Sequence, residues 1–404
     1  MADTIIRKTE LLAPAGDMEG LNTAIKYGAD AVYLGGPFMQ LRAASAGFNE
    51  ERLALASDTL HKAGKRLFVT VNSFAENSEI PKLDDYARFL KDIGADAVIV
   101  SDIGAIAEIK SAVPDLEVHL STQANCMNYK AAEVYYNMGV KRIVLARELS
   151  IPKIAELRAK APVGLELEAF IHGAMCMSYS GRCLLSAYLT GRSGNRGLCA
   201  QTCRWNYYLM EETRPGEYFK IEETEHGSAI LSSKELCAMP FIEKLQEAGV
   251  CSFKIEGRMR TPFYTATVVN AYRLRIDGKI AADEGMRELD TVSHRPFTSG
   301  FYLSENGALD PDMGGYVRDW LFVATVLESD DNTALIETRN PFSAGDSLEV
   351  LSPGNLGRAF SLEYIKNEDG ESLERSNTPM RKMHINLPFK AYPGDIIRKY
   401  QANE

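Results

Sequence analysis

The sequence predicts an α/β protein: a (β/α)8 TIM-like barrel with a cysteine-rich insertion, followed by a small C-terminal antiparallel β-barrel domain. Three observations support this prediction: a helix–glycine–strand theme that recurs as far as residue 258, a segment that gathers four cysteines, and a change to short alternating runs beyond residue 320. A chain of 404 residues exceeds the usual size of one domain, so two domains are expected.

The recurring theme is found in four stretches, "YGADAVYLGG", "IGADAVIVSD", "MGVKRIVLARE" and "AGVCSFKIEGR". In each, a helical pattern ends at a glycine suited to the left-handed position after a helix, and a short β-rich strand follows. Further strand candidates lie at 11–15, 66–72, 117–122 and 165–170. These eight strands favour a parallel barrel, with the insertion after the seventh. A doubly wound open sheet is the alternative, and a ninth candidate strand at 230–233 blurs the count.

Polar residues stand at the ends of the predicted strands, which is where a barrel of this kind carries its chemistry. They are Asp17, Asn72, Asp102, Gln123 with Asn125, Arg147 with Glu148, Glu168 with His172, and Glu256 with Arg258. Helix caps and rim salt bridges are the alternative for each of them, because the loops between strands and helices need N-caps.

The insertion, residues 172–210, is called the cysteine segment below. Its thiols follow the pattern Cys176-x6-Cys183-x15-Cys199-x3-Cys203. Structural zinc sites usually have paired CxxC knuckles, which this pattern lacks. Four thiolates at uneven spacing, without histidine partners, suit an iron–sulfur cluster at least as well. Zinc and unpaired buried thiols remain the alternatives.

The cysteine segment is also basic, although the chain has a net charge of −10. It contains Arg182, Arg192, Arg196 and Arg204, and no Asp or Glu occurs from Ala169 to Met210. These arginines would offset the negative charge of the thiolates and of any anionic ligand nearby.

A cysteine nucleophile is the competing interpretation, since His172 lies four residues before Cys176. The segment has no third, orienting carboxylate, and four clustered cysteines exceed what a thiol hydrolase needs. The sequence also lacks HExxH, GxSxG and Walker A motifs. Peptidase chemistry is therefore the weaker hypothesis.

Composition and segment boundaries complete the prediction. Residues 1–285 form the barrel with its insertion, 286–319 a polar connector, and 320–404 the β domain, in which 375–399 contains six basic residues and one acid, Asp395. No apolar run reaches about 18 residues, the length that spans a bilayer. Seven cysteines, an odd number, argue against a disulfide framework, so a cytoplasmic protein is expected.

The segments "ELEAFIHGAMCMSYSGRCLLSAYL", "NRGLCAQTCRW" and "SFKIEGRMR" resemble the hallmark segments of the U32 family, historically named for peptidase or collagenase activity. Within it, the chain is most similar to the bacterial tRNA uridine hydroxylases that use prephenate. The resemblance continues through "LLAPAGDMEGLNTAIKYGADAVYLGG", "LRAASAGF", "STQANCMN" and "LARELS" to "FSAGDSLEVLSP", and so covers nearly the whole chain.

The resemblance implies a barrel that carries a 4Fe-4S cluster and hydroxylates without oxygen, with prephenate supplying the hydroxyl group. For the tRNA branch the product is 5-hydroxyuridine at the wobble position, whereas sister branches act on a ribosomal RNA cytidine or a ubiquinone precursor. Matching motif positions give Cys176, Cys183 and Cys199 as cluster ligands. The fourth is Cys203, with Cys237 as the alternative.

Further roles follow from the ligands that the resemblance implies. Prephenate has two carboxylates, which arginine pairs with bidentately. The predicted substrate-binding residues are Arg42, Asn72, Gln123, Glu148, Lys254, Glu256 and Arg258. His172, Arg147 and Glu168 are the predicted catalytic residues. Transfer RNA would bind along the arginines of the cysteine segment and the basic stretch 375–399.

Overall fold

A computed structural model describes residues 9–41, 47–176, 183, 185–205, 209–210, 218–219, 234–303 and 316–401. Arg42, Arg182, the ninth strand candidate at 230–233 and part of the connector lie outside these residues. Two compact units make up the chain. One consists of Met1–Leu21, Asp30–Met259 and Arg295–Gly315, and the other of Asn22–Ala29, Arg260–His294 and Tyr316–Glu404.

The first unit contains the strands of a closed parallel barrel and four short strands beside it. In chain order these strands are β1 (Glu10–Pro14), β2 (Ala31–Gly35), β3 (Arg66–Val71), β4 (Ala97–Val100), β5 (Glu117–Leu120), β6 (Val140–Val144), β7 (Glu166–Ala174), β8 (Leu209–Met210), β9 (Tyr218–Phe219), β10 (Glu235–Cys237), β11 (Ser252–Ile255) and β12 (Phe297–Thr298). Each of β1 to β6 pairs in parallel with the next strand, and β11 pairs in parallel with both β7 and β1. The β7–β11 pairing closes the sheet, so the predicted barrel is confirmed and the open sheet is excluded.

Helices follow most of the strands. They are α1 (Met18–Lys26), α2 (Glu50–Lys62), α3 (Leu83–Asp92), α4 (Ile103–Ala112), α5 (Tyr129–Asn137), α6 (Ile151–Lys160), α7 (Leu185–Thr190), α8 (Ile242–Glu247), α9 (Pro262–Ile276) and α10 (Ala282–Leu289). The glycines of the recurring theme have positive φ angles, 101° at Gly28, 81° at Gly94, 91° at Gly139 and 90° at Gly249. These left-handed residues end the helices as the sequence predicts, because glycine adopts this conformation without steric cost.

Two of the polar residues at strand ends are helix caps. Asp17 Oδ1 accepts a hydrogen bond from the Gly20 backbone at 2.8 Å. Asp102 Oδ1 accepts one from the Ala105 backbone at 3.0 Å, at the start of α4. Both carboxylates satisfy N–H groups that the first turn of a helix leaves without partners.

The interior of the barrel has an apolar half and a charged half. Buried Leu12, Ala31, Tyr33, Phe68, Ala97 and Ile99, contributed by β1 to β4, form one cluster. The charged half comes from β1, β5, β6, β7 and β11, and its members alternate along the strands, as side chains on one face of a strand do. This second half forms the site described below.

The second unit combines α9 and α10 with an antiparallel sheet that curls as a half-barrel. Its strands are β13 (Trp320–Ser329), β14 (Thr333–Thr338), β15 (Phe342–Ser343), β16 (Ser347–Leu351), β17 (Arg358–Ser361), β18 (Ile365–Lys366), β19 (Ser372–Leu373), β20 (Arg375–Ser376), β21 (Lys382–Asn386) and β22 (Ile396–Tyr400). The main sheet has the order β17-β16-β22-β13-β14-β21-β18-β19. Alternate residues of these strands enter one apolar core. Among the described residues, no helix has the length and apolar character needed to cross a membrane.

Candidate active site

A network of buried charged and polar side chains crosses the charged half of the barrel. It consists of Glu10, Arg142, Glu168, Ser252 and Lys254, and is called the charged network below. Glu168 Oε1 accepts a hydrogen bond from Lys254 Nζ at 3.0 Å. Its other oxygen, Oε2, accepts from Arg142 at 3.1 Å and from Ser252 Oγ at 3.1 Å. Both carboxylate oxygens of this fully buried side chain are therefore satisfied.

The charges of the network determine the protonation of Glu168. Burial raises the pKa of this carboxyl, but the neighbouring Lys254 and Arg142 lower it further, and the resulting pKa is about 2. Burial also lowers the pKa of Lys254, while Glu168 opposes that shift. The ammonium of Lys254 lies 4.3 Å from the centre of the Tyr33 ring, a cation–π distance. Glu168 is therefore an anion at neutral pH, and it pairs with the two cations Lys254 and Arg142.

Arg142 links the network to the bottom of the barrel. Its guanidinium donates to Glu10 at 2.6 Å, to Glu166 at 2.8 Å and to Glu168 at 3.1 Å. Sequence reasoning missed Arg142, Glu10 and Ser252. The sequence signal that could have revealed them is the occurrence of charged residues at alternate positions inside short buried strands.

His119 is a further buried polar residue in this half, and it too was missed. Its Nε2 lies 2.7 Å from Glu117 Oε1, and its ring packs edge-on against Phe68 at 4.7 Å between centroids. Burial lowers the pKa of this histidine, so it is neutral at physiological pH.

Arg258 occupies the mouth of the barrel at the carboxyl ends of β2 and β3. It is buried, and its Nη1 donates to Gln40 Oε1 and to Thr70 Oγ1, both at 3.1 Å. A Cβ atom at Gly35 would overlap the ends of both the Gln40 and the Arg258 side chains. Glycine at this position is therefore what lets the guanidinium reach its place.

Glu256 and Asn72 lie at the same ends of their strands. Glu256 Oε2 accepts a hydrogen bond from the Tyr33 hydroxyl at 3.4 Å. Asn72 Oδ1 accepts one from the Leu41 backbone at 3.4 Å. Gln123 is half-buried in the short turn Thr122–Ala124 that follows β5.

Arg147 and Glu148 follow β6. Arg147 donates to the Ala174 carbonyl at 3.0 Å, and its guanidinium lies 5.5 Å from the centre of the Phe170 ring. Glu148 is half-buried, and burial raises its pKa. A carboxyl group with a raised pKa at the mouth of a barrel is a candidate for proton transfer.

His172 lies inside the barrel wall near the end of β7. It is buried, and its ring centroid is 5.5 Å from that of Phe297. Its neighbour across the antiparallel β7–β10 pairing is Cys237, which is also buried. The structure thus places the alternative fourth cysteine beside the predicted catalytic histidine.

The four thiols of the cysteine segment are more exposed than those of Cys126 and Cys237, which are buried. Cys176 and Cys199 are exposed, whereas Cys183 and Cys203 are partly buried. Cys199 Sγ accepts a hydrogen bond from the Gln201 backbone at 3.4 Å. By contrast, burial raises the pKa of Cys126 to about 11, which makes that thiol unreactive.

The donor chemistry of the cysteine segment fits an iron–sulfur cluster. Its thiols reach solvent, carboxylates are absent from the stretch, and the Gln201 backbone N–H donates to Cys199 Sγ, a type of contact that also occurs at cluster sulfurs. Within the described ranges, no three His, Cys, Asp or Glu side chains lie close enough together to hold a metal ion.

The structure assigns several basic residues of the predicted RNA-binding stretches to internal contacts. Arg196 pairs with Glu76 and Glu79, each at 3.1 Å, and donates to the Phe74 carbonyl at 2.9 Å. Arg192 is exposed. The segment's arginines are thus not all available to an anion, because Arg196 has carboxylate partners of its own.

In the second unit, two residues at the end of the basic stretch 375–399 also form internal ion pairs. Arg398 is buried and pairs with Glu288 at 2.6 Å and with Glu349 at 2.9 Å. Lys399 pairs with Asp346 at 2.7 Å. The four other basic residues of the stretch remain exposed: Arg375, Arg381, Lys382 and Lys390.

A parallel barrel whose carboxyl-end face collects ionisable side chains belongs to the class of (β/α)8 barrel enzymes. The particular family follows from comparison with known proteins. Residues 16–310 match Peptidase family U32, and residues 318–398 match the Peptidase family U32 C-terminal domain. The chain belongs to the U32 family.

Three relatives align with almost the whole chain. "tRNA hydroxylation protein P1" of Bacillus subtilis is 38% identical over 98% of this chain and 96% of its own length. "tRNA hydroxylation protein P" of Escherichia coli is 37% identical over 91% of each chain. A protein of Porphyromonas gingivalis named "Collagenase" is 34% identical over 98% of each chain.

Proposed function

We propose that this protein is an iron–sulfur-dependent, oxygen-independent tRNA hydroxylase that forms 5-hydroxyuridine at the wobble position with prephenate as the hydroxyl donor. The observation that carries the proposal is the alignment, over 98% and 91% of this chain, with two relatives named for tRNA hydroxylation. The cysteine segment and the cations in the barrel support it independently.

We assign the cluster to Cys176, Cys183 and Cys199, with Cys203 or Cys237 as the fourth ligand. When bound, a 4Fe-4S cluster supplies electron-transfer and Lewis-acid chemistry. Cys237 gains support from its position beside His172 on the wall of the barrel.

The carboxylates of prephenate would bind to cations at the mouth of the barrel. Arg258 lies at this mouth, and its guanidinium is held in position by hydrogen bonds to the side-chain oxygens of Gln40 and Thr70. Arg147 and Arg42 are the further candidates for this role. Lys254 is placed deeper by Glu168 and would hold the end of the ligand that enters the barrel.

The remaining predicted residues would act on the base. A uracil turned out of the RNA needs hydrogen bonds to its edge, which Asn72, Gln123 and Glu256 can supply. Glu148 and His172 are placed to hold or move a proton.

The decisive experiment measures 5-hydroxyuridine by mass spectrometry after purified, anaerobically prepared protein is incubated with unmodified tRNA and prephenate. We expect product that depends on prephenate, and a brown protein with about four irons and four sulfides per chain, as the 4Fe-4S formula requires. Cys176→Ala and Cys183→Ala should abolish the colour, whereas Cys126→Ala should preserve it. A colourless, zinc-containing protein, or product formed without prephenate, would contradict the proposal.

Peptide hydrolysis is the second candidate, because one full-length relative is named "Collagenase". It predicts cleavage of denatured collagen by iron-free protein, with inhibition by thiol-blocking reagents. The same preparation can be assayed for both activities, so cleavage without tRNA hydroxylation would favour this candidate. Hydroxylation of ribosomal RNA or of a quinone precursor instead of tRNA would indicate a sister activity.

A further inference from the structure

The cysteine segment exposes an unusual concentration of large apolar side chains. The described part of the chain has thirteen exposed large hydrophobic residues, and four of them lie between residues 188 and 205. These are Tyr188, 86% exposed, Trp205, 45% exposed, and the flanking Leu189 and Leu198. Contiguous apolar groups left in water usually mark a binding surface.

Packing and hydrogen bonds hold the backbone on which the two aromatic residues lie. Tyr188 belongs to α7, which packs against the short turn Thr202–Arg204 that directly precedes Trp205. Buried Ser186 ties the segment together, because its hydroxyl donates to the Arg192 carbonyl at 2.7 Å and accepts from the Ala200 backbone at 2.9 Å. Both aromatic rings can therefore be presented to a ligand at a small cost in conformational entropy.

Residues 196–197, between the two aromatic residues, contact the face of the barrel that carries the candidate site. Arg196 pairs with Glu79 and donates to Phe74, which follows β3. The backbone at Gly197 has a φ of 83° and lies so close to Gln40 that a Cβ would approach its carbonyl oxygen to 2.7 Å. Gln40 in turn accepts the hydrogen bond from Arg258. The segment that carries the exposed rings thus contacts the mouth of the barrel through Arg196 and Gly197.

The charge around the rings distinguishes between possible occupants. No acidic residue occurs from Ala169 to Met210, although the chain carries a net charge of −10, and Arg192 is exposed between the two rings in sequence. A surface that combines exposed aromatic rings with an exposed arginine complements a polyanion that also has flat apolar faces. Single-stranded RNA has both properties, because its phosphates are anionic and its unpaired bases stack on aromatic side chains.

We propose that Tyr188 and Trp205 form a stacking platform for unpaired bases of the RNA substrate, with Arg192 at an adjacent phosphate. This inference rests on the proposed function and adds the residues that hold the nucleotides next to the modified one. Base stacking is tolerant of sequence, so we expect the platform to accept loops of differing sequence.

The test uses the fact that the chain has only two tryptophans, Trp205 and Trp320. A Trp320→Phe protein leaves Trp205 as the sole tryptophan, and titration with an anticodon stem–loop RNA should quench its fluorescence. Tyr188→Ala and Trp205→Ala should each weaken binding of this RNA roughly 5- to 100-fold, the range for one lost stacked base. Tyr188→Phe and Trp205→Phe should bind nearly as the wild type does.

Val163→Ala is the control, because Val163 is an exposed hydrophobic residue (99%) that precedes the first residue of β7 and lies outside both predicted RNA-binding stretches. It should leave RNA affinity unchanged. Circular dichroism and thermal unfolding of the Tyr188, Trp205 and Val163 variants should match those of the wild type, since these side chains are exposed.

The outcomes separate this inference from the proposed function. Wild-type affinity in both alanine variants of a protein that hydroxylates tRNA would overturn the platform and leave the function intact. Affinity that depends on the platform, in a protein that hydroxylates no tRNA, would support the platform and overturn the function. Failure of the wild type to bind RNA would overturn both. Loss of a dimer in Trp205→Ala, with RNA affinity unchanged, would assign the surface to self-association.

Discussion

Replacing Glu168 with Gln tests whether the charged network stabilises the barrel. Glu168 is fully buried and accepts three hydrogen bonds, two of them from the cations Lys254 and Arg142. The amide removes the negative charge but keeps the shape. Arg142 retains Glu10 and Glu166, whereas Lys254 loses the carboxylate that holds it at 3.0 Å. Most of the loss in unfolding free energy should therefore come from the ammonium of Lys254, which no longer has a carboxylate partner in Glu168.

The expected magnitude follows from this loss of one partner of a buried ion pair. Breaking such a pair from one side costs about 3–5 kcal/mol of unfolding free energy. The assay is urea unfolding followed by circular dichroism. Lys62→Ala is the surface control, because the Lys62–Asp58 pair is largely exposed and such pairs contribute at most about 1 kcal/mol.

A double variant, Glu168→Gln with Lys254→Met, should recover part of the lost unfolding free energy, because it removes the Lys254 ammonium together with the carboxylate that paired with it. A Glu168→Gln protein as stable as the wild type would refute the structural role of the pair. A more stable one would indicate that Glu168 is kept at a cost in stability for its function.

Three further outcomes are expected. Gly35→Ala should change thermal stability little, because the atoms nearest to the new methyl group are the flexible ends of the Gln40 and Arg258 side chains. The displaced guanidinium of Arg258 should raise the KM for prephenate. An unchanged KM would remove Arg258 from the binding site. Arg398→Met should cost the second unit about 3–5 kcal/mol in urea unfolding, because Glu288 stays buried without its partner; a loss below about 1 kcal/mol would contradict that assignment. The depressed pKa of Glu168, about 2, should stabilise the fold above the usual glutamate pKa and lose this effect as the pH falls toward 2; Glu168→Gln should flatten this part of the stability–pH curve.

The barrel was predictable because its signals are local. A glycine such as Gly94 must follow its helix directly, and the strand after it begins within a few residues. The charged network was not predictable in the same way, since Arg142 meets Glu10 across 132 positions of sequence and only closure of the barrel brings them together. Arg398 shows the same limit: its charge suggested an RNA-binding surface, but its partner Glu288 lies 110 residues away.

The charges inside the barrel also give different pKa values to Glu168, a predicted catalytic residue, and Glu148, a predicted substrate-binding residue. A general acid or base must exchange protons near the working pH, and a carboxyl with a pKa of about 2 does not do so. We therefore expect Glu168 to be a positioning residue, which fixes the position and charge of Lys254. Burial shifts the pKa of Glu148 in the opposite direction, so this carboxyl, at the end of the neighbouring strand β6, is better suited to carry a proton. The pKa values of the two glutamates are thus shifted in opposite directions, because one carboxyl is buried among cations and the other is buried with less compensation.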